Sequence, residues 1–155
     1  MSTRACIARK HGDGFLGVYH HWDGYPTGLG KTLWAAAHER PLPDLLRLLI
    51  DEHPAGWSTI NGANLDLSPG FRELGDKVNF LDGERPAECY CHDDRHEEES
   101  SVTETDDMGM EWAYVFDEEI GAMNVLKRIG EDWTIRAVVP LDDPEPDWAD
   151  MEVQA

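Results

Sequence analysis

Residues 15–22, Phe-Leu-Gly-Val-Tyr-His-His-Trp, follow an extended run over 4–11 and a Gly12-Asp13-Gly14 turn. Two extended runs around such a turn predict a β-hairpin. On its second strand, the two-residue period puts Phe15, Gly17, Tyr19 and His21 on one face, and Leu16, Val18, His20 and Trp22 on the other. Residues 23–30 are loop by their Gly and Pro content. Lys31 to Glu39 has a helical composition. Pro41 and Pro43 interrupt it, and Pro43 suits the first turn of a second helix over 43–52. Leu45, Leu46, Leu48, Leu49 and Ile50 give that helix a broad apolar face, and Pro54 ends it.

The pattern weakens over 55–82, where Ser68-Pro69-Gly70 reads as a turn and 71–75 as a short helical piece. Residues 84–110 are acidic and irregular, with 97–109 an exposed loop or polar edge strand. Three strands follow, Glu111–Asp117, Ala122–Arg128 and Trp133–Leu141, and their short connections predict an antiparallel meander. The tail over 142–155 carries six acids and no base, which predicts a mobile end. The expected fold is α+β: an N-terminal β-hairpin, two short helices and a C-terminal antiparallel β-meander, as one domain over residues 1–141.

Composition supports a packed domain. Forty-one per cent hydrophobic residues and six tryptophans in 155 residues supply a core. No apolar run reaches the roughly 20 residues of a membrane-spanning helix. The absence of an N-terminal apolar segment and the sparse Cys6, Cys89 and Cys91 predict a cytoplasmic protein in a reducing compartment. Charge changes the picture more. Residues 1–81 nearly balance, with 8 Lys/Arg against 9 Asp/Glu, whereas residues 82–155 hold 5 against 23. Such a half repels nucleic-acid phosphate and anionic lipid, so neither is an expected direct ligand. It suits solubility, a basic protein partner approached as a nucleic-acid mimic would approach it, or cations.

Three stretches carry candidate chemistry. Gly30-Lys31-Thr32 suggests a phosphate loop, but a Gly-x4-Gly-Lys-Thr motif needs glycine at position 25, which is Tyr25. Gly28 and Gly30 ahead of a helix could still hold an anion, or simply make the turn. In His20-His21-Trp22-Asp23, adjacent histidines on a strand face opposite ways. A histidine beside Asp23 suits general-base or metal chemistry, while Asp23 also suits a structural turn. Trp22 and Tyr25 suit stacking or packing. Cys89-Tyr90-Cys91-His92 with His96 offers four zinc-type ligands in eight residues, without the second cysteine pair of a structural zinc knuckle. Zinc at Cys89, Cys91, His92 and His96 is therefore weighed against a strand edge with free thiols. Arg95, a cation among acids, suits an ion pair or an anionic ligand. The candidate ligand-binding residues are His20, His21, Asp23, Tyr25, Lys31 and Arg95. No serine-hydrolase elbow and no His-Glu-x-x-His helix is present, so no catalytic residue is assigned.

The opening Met1-Ser-Thr-Arg4, the Tyr19-His-His-Trp-Asp-Gly-Tyr-Pro26 box and Gly28-Leu-Gly-Lys-Thr-Leu33 resemble a group of small phage- and prophage-type proteins with a (Cys/His)-His-Trp-Asp-Gly-Tyr box. Residues 89–95 and Glu111–Phe116 are also similar to that group. The resemblance implies an accessory gene of a mobile element, a class that commonly encodes small binders of host proteins, including inhibitors of host defence. It implies no catalytic residue. The expectation is a small acidic protein that binds a host protein and is not an enzyme. The alternative is a nucleotide- or phosphoester-handling protein built around the box.

Overall fold

A computed structural model describes residues 2–67, 85–90, 102–106 and 108–153. The fold is α+β. Strands β1 (Arg4–His11) and β2 (Gly14–His20) form the N-terminal hairpin, in a register that pairs Ala5 with His20 and His11 with Gly14. A π-helical turn, Pro26–Gly30, runs into helix α1 (Lys31–Glu39), and α2 (Leu42–Leu46) widens into a second π-helical turn, Arg47–Asp51. Short strands β3 (Trp57–Thr59), β4 (Glu88–Cys89) and β5 (Val102–Thr103) precede the long strands β6 (Met110–Asp117), β7 (Ala122–Ile129) and β8 (Asp132–Pro140).

The hairpin and the meander belong to one mixed sheet. Its strand order is β4-β3-β2-β1-β6-β7-β8, and β5 also pairs with β2. β1 joins the halves by lying parallel to β6, with Ile7 opposite Tyr114. The outer edge of β2 is shared: β3 runs parallel to it at His20, and β5 runs antiparallel at Leu16 and Gly17. β1 is therefore central, and Ala5, Cys6, Ile7 and Ala8 are buried on both its faces.

The helices cover one face. Ile7, Val18, Tyr114, Phe116, Met123 and Val125 meet Leu29, Leu33, Leu45, Leu46 and Leu49 in the main core. Trp57 seals the β3 end, its indole N–H donating to the Leu49 carbonyl at 2.9 Å. The opposite face carries a smaller cluster of Cys6, Ala8, Phe15, Val102, Ala113 and Val115, with Trp133 packed against it, and part of that face stays open.

Two expectations change. The second helix is not a regular α-helix over 43–52, because its backbone widens to π-helical spacing at Arg47 and the element ends at Asp51. The tail expected to be mobile over 142–155 instead forms helix α3 (Trp148–Val153). Trp148 and Met151, three apart and hence on one helical face, are buried in the main core. That burial outweighs the repulsion among the acids around them. The Ser68-Pro69-Gly70 turn and the helical piece at 71–75 lie outside the described residues, as do Cys91, His92, Arg95 and His96. Among the described residues, no helix is long and apolar enough to cross a membrane.

Candidate functional site

The two histidines of the box do part to opposite faces. His20 is fully buried, and its Nε2 accepts the Ile60 backbone N–H at 3.0 Å. That bond puts the ring proton on Nδ1, which finds no hydrogen-bond partner. Burial, and secondarily the charge of His21, push the His20 pKa down to about 3. This neutral imidazole holds the backbone after β3. His21 lies on the other face, its Nδ1 2.6 Å from the Tyr19 hydroxyl. Its ring stands edge-on to Trp22 at 4.6 Å, and Trp22 is 46% exposed.

Close backbone approaches explain the box's glycines. Asp23 adopts φ 52°, in the left-handed region, and its carbonyl accepts from Leu29 N at 3.0 Å and Asn61 Nδ2 at 3.1 Å. Gly24 donates to the Thr3 carbonyl at 2.8 Å, and its own carbonyl accepts the buried Tyr114 hydroxyl at 2.6 Å. A Cβ on Gly24 would stand 2.6 Å from both the Thr3 oxygen and the Ala5 methyl, so only glycine fits. Gly30 lies under the rings of Tyr114 and Trp148, where a Cβ would meet carbons at 3.1–3.3 Å. Burial and a hydrogen bond to Asp23 raise the Tyr25 pKa, burial being the larger cause. The box is thus a joint that ties the first strand, β6, the loop at Asn61 and α3 to one corner.

The helix start cannot serve as an anion cradle. The Lys31 N–H is bonded back to the carbonyls of Gly28 and Pro26, because α1 continues from the π-helical turn. The Lys31 side chain is exposed and borders a different recess, about 650 Å³ between α1 and residues 62–66. Of the candidate ligand-binding residues, Asp23 and Tyr25 share the corner, His20 turns into the core, His21 faces away from it, and Lys31 lies apart. Arg95 falls outside the described residues.

Of the proposed zinc ligands, Cys89 is described and buried, with Cys91, His92 and His96 outside. Its thiol is 3.1 Å from Nδ1 of His53, a residue the sequence reading did not single out. His53 and Cys89 come together only because β4 pairs with β3, and no local spacing signals that contact. Such an imidazole–thiol pair suits soft-metal ligation as well as a buried hydrogen bond.

Two other surfaces emerge only in three dimensions. On the open face, Phe15, Leu126, Trp133 and Ile135 line a cleft of about 980 Å³. At one end of the sheet, the β6–β7 turn carries Glu118, Glu119 and Ile120, and Ile120 is 64% exposed. The turn after β8 lies beside it through the Leu141 N–H to Gly121 carbonyl bond, which brings Asp142 and Asp143 to the same end. All four acids are exposed and none is ion-paired among the described residues. Two cations border the same recess: Lys10 lies 3.6 Å from Asp117, and Arg9, bonded to Asp51 at 2.8 Å, also feels the Glu118 charge. Comparison with protein-family models, curated proteins and solved structures finds no match to this chain.

Proposed function

We propose that this chain is a non-enzymatic binding protein of phage type that engages a basic surface of a host protein in the host cytosol. The observation that carries this reading is the acidic end of the sheet, where exposed Glu118, Glu119, Asp142 and Asp143 share two adjoining turns with exposed Ile120. An apolar anchor beside an excess of like charge suits a partner that brings cations around a small apolar pocket. Charge complementarity then steers encounter, and the anchor slows release. The same acidity disfavours nucleic acid as a direct ligand and fits mimicry of it toward a nucleic-acid-binding host protein. The described box residues favour no enzymatic reading, because His20 is buried and Lys31 borders a separate recess.

Affinity capture from bacterial lysate, followed by reconstitution with the purified partner, tests this. Glu118→Lys/Glu119→Lys should abolish capture and Ile120→Ala should weaken it, with binding that falls as salt rises. Capture that is indifferent to salt and to both variants excludes the reading.

A further inference from the structure

We infer that the open-face cleft is a second contact for that partner and receives an arginine or lysine side chain from it. The inference rests on the reading of a basic partner and names where one of its cations goes. One wall of the cleft is apolar, with Leu126 and the exposed Ile135 beside Phe15 and Trp133, whose rings meet edge-to-face at 5.5 Å, while Thr105 and Asn124 add polar atoms. Its unspent charges stand at the rim: Asp13, Glu131 and Asp132 are exposed and make no side-chain hydrogen bond among the described residues. An apolar wall ending in carboxylates matches a side chain with a long methylene stem and a cationic head.

The cleft's own cations do not satisfy that rim. Arg128 holds its guanidinium 5.6 Å from the Trp133 ring centre and donates to the carbonyls of Asp106 at 2.7 Å and Gly130 at 3.2 Å. The wall therefore already accepts one guanidinium over an aromatic face. Lys10 is drawn to Asp117 at 3.6 Å. Glu104 is also occupied, its carboxylate accepting the Phe15 N–H at 3.0 Å. The charge left for a ligand is negative, which selects a cation and rejects an anionic or neutral head of the same shape.

Titration of the isotope-labelled full chain with acetyl-Arg-Leu-Arg-amide, followed by NMR, tests the site. The peptide should shift the methyl signals of Leu126 and Ile135 and the indole N–H of Trp133. Citrulline in place of arginine keeps the shape and removes the charge, and should abolish those shifts. Glu131→Gln/Asp132→Asn should weaken binding about tenfold, while Asp44→Asn, on α2 at the helix-covered face, should leave it unchanged. Equal binding of the citrulline peptide overturns the inference. Shifts confined to Ile120 and its neighbours also overturn it, while leaving the broader basic-partner reading standing. No shift in either region overturns the cleft as a cation site, and the charge-reversal capture then decides the broader reading separately.

Discussion

Thr27 and Glu152 stand 125 residues apart in the chain, yet the backbone N–H and the hydroxyl of Thr27 both donate to Glu152 Oε1 at 2.7 Å. An acid in the most acidic part of the molecule thus closes the box's turn from outside. Glu152→Gln should cost roughly 1 kcal/mol, since these bonds are exposed but charge-assisted. Trp148→Ala should cost about 3–5 kcal/mol through the cavity it leaves in the main core. Urea unfolding measures both. A chain cut after residue 146 that is as stable as the full one would show that α3 does not hold the corner.

Acid should destabilise the fold through His20. Its pKa is about 3 in the folded protein against 6.5 ordinarily, so between those values the unfolded chain binds the extra proton. The stability this neutral histidine contributes is fully present above pH 6.5 and falls as pH drops toward 3, by about 1.4 kcal/mol per pH unit. Comparing His20→Gln with the parent from pH 7 to 4 isolates this part from that of the carboxylates. Equal pH slopes for the two proteins would refute it.

Gly24 and Gly12 should separate crowding from backbone strain. Gly24→Ala drives a methyl against the Thr3 carbonyl and should cost about 1–3 kcal/mol or more. It should also disturb the Tyr114 hydroxyl, which donates to the Gly24 carbonyl. Gly12 has φ +60° and open space around it, so Gly12→Ala should cost only about 1 kcal/mol, from conformation alone. Thermal melts rank the pair, and the reverse order would contradict the geometry.

Cys6 should resist thiol reagents in the native state. It is fully buried on the central strand, and burial, reinforced by the Asp106 charge, raises its pKa far above the thiol range. Alkylation followed by peptide mass spectrometry should find it unmodified until denaturant is added. Rapid native labelling at Cys6 would mean that β1 opens readily.

Periodicity and punctuation carry far in this chain. Helix α1 begins at Lys31 and ends at Glu39 as its composition indicates, and β6 to β8 differ from expectation by a residue at their ends. The parallel pairing of β1 with β6 is invisible to such reading, because alternation marks a strand without naming its neighbour. β3 is too short for a period to register and is set by its pairing with β2 and β4. Trp148 and Met151 are spaced for one helical face, a pattern hidden by the acidic charge over 142–155, which pointed to a mobile tail. At the box, the sequence separates His20 from His21, and only the contact with Ile60 shows which one is sealed inside.

The placement of β1 also constrains the order in which this molecule can come into being. Among the described strands the central one is synthesised before the others, and the neighbour that completes it, β6, emerges about a hundred residues later. Until then one edge of β1 has no β6 to pair with, and the nascent chain must delay a pairing of high sequence separation. Emergence of β6, rather than growth of the N-terminal hairpin, then becomes the event that commits this sheet to its native order.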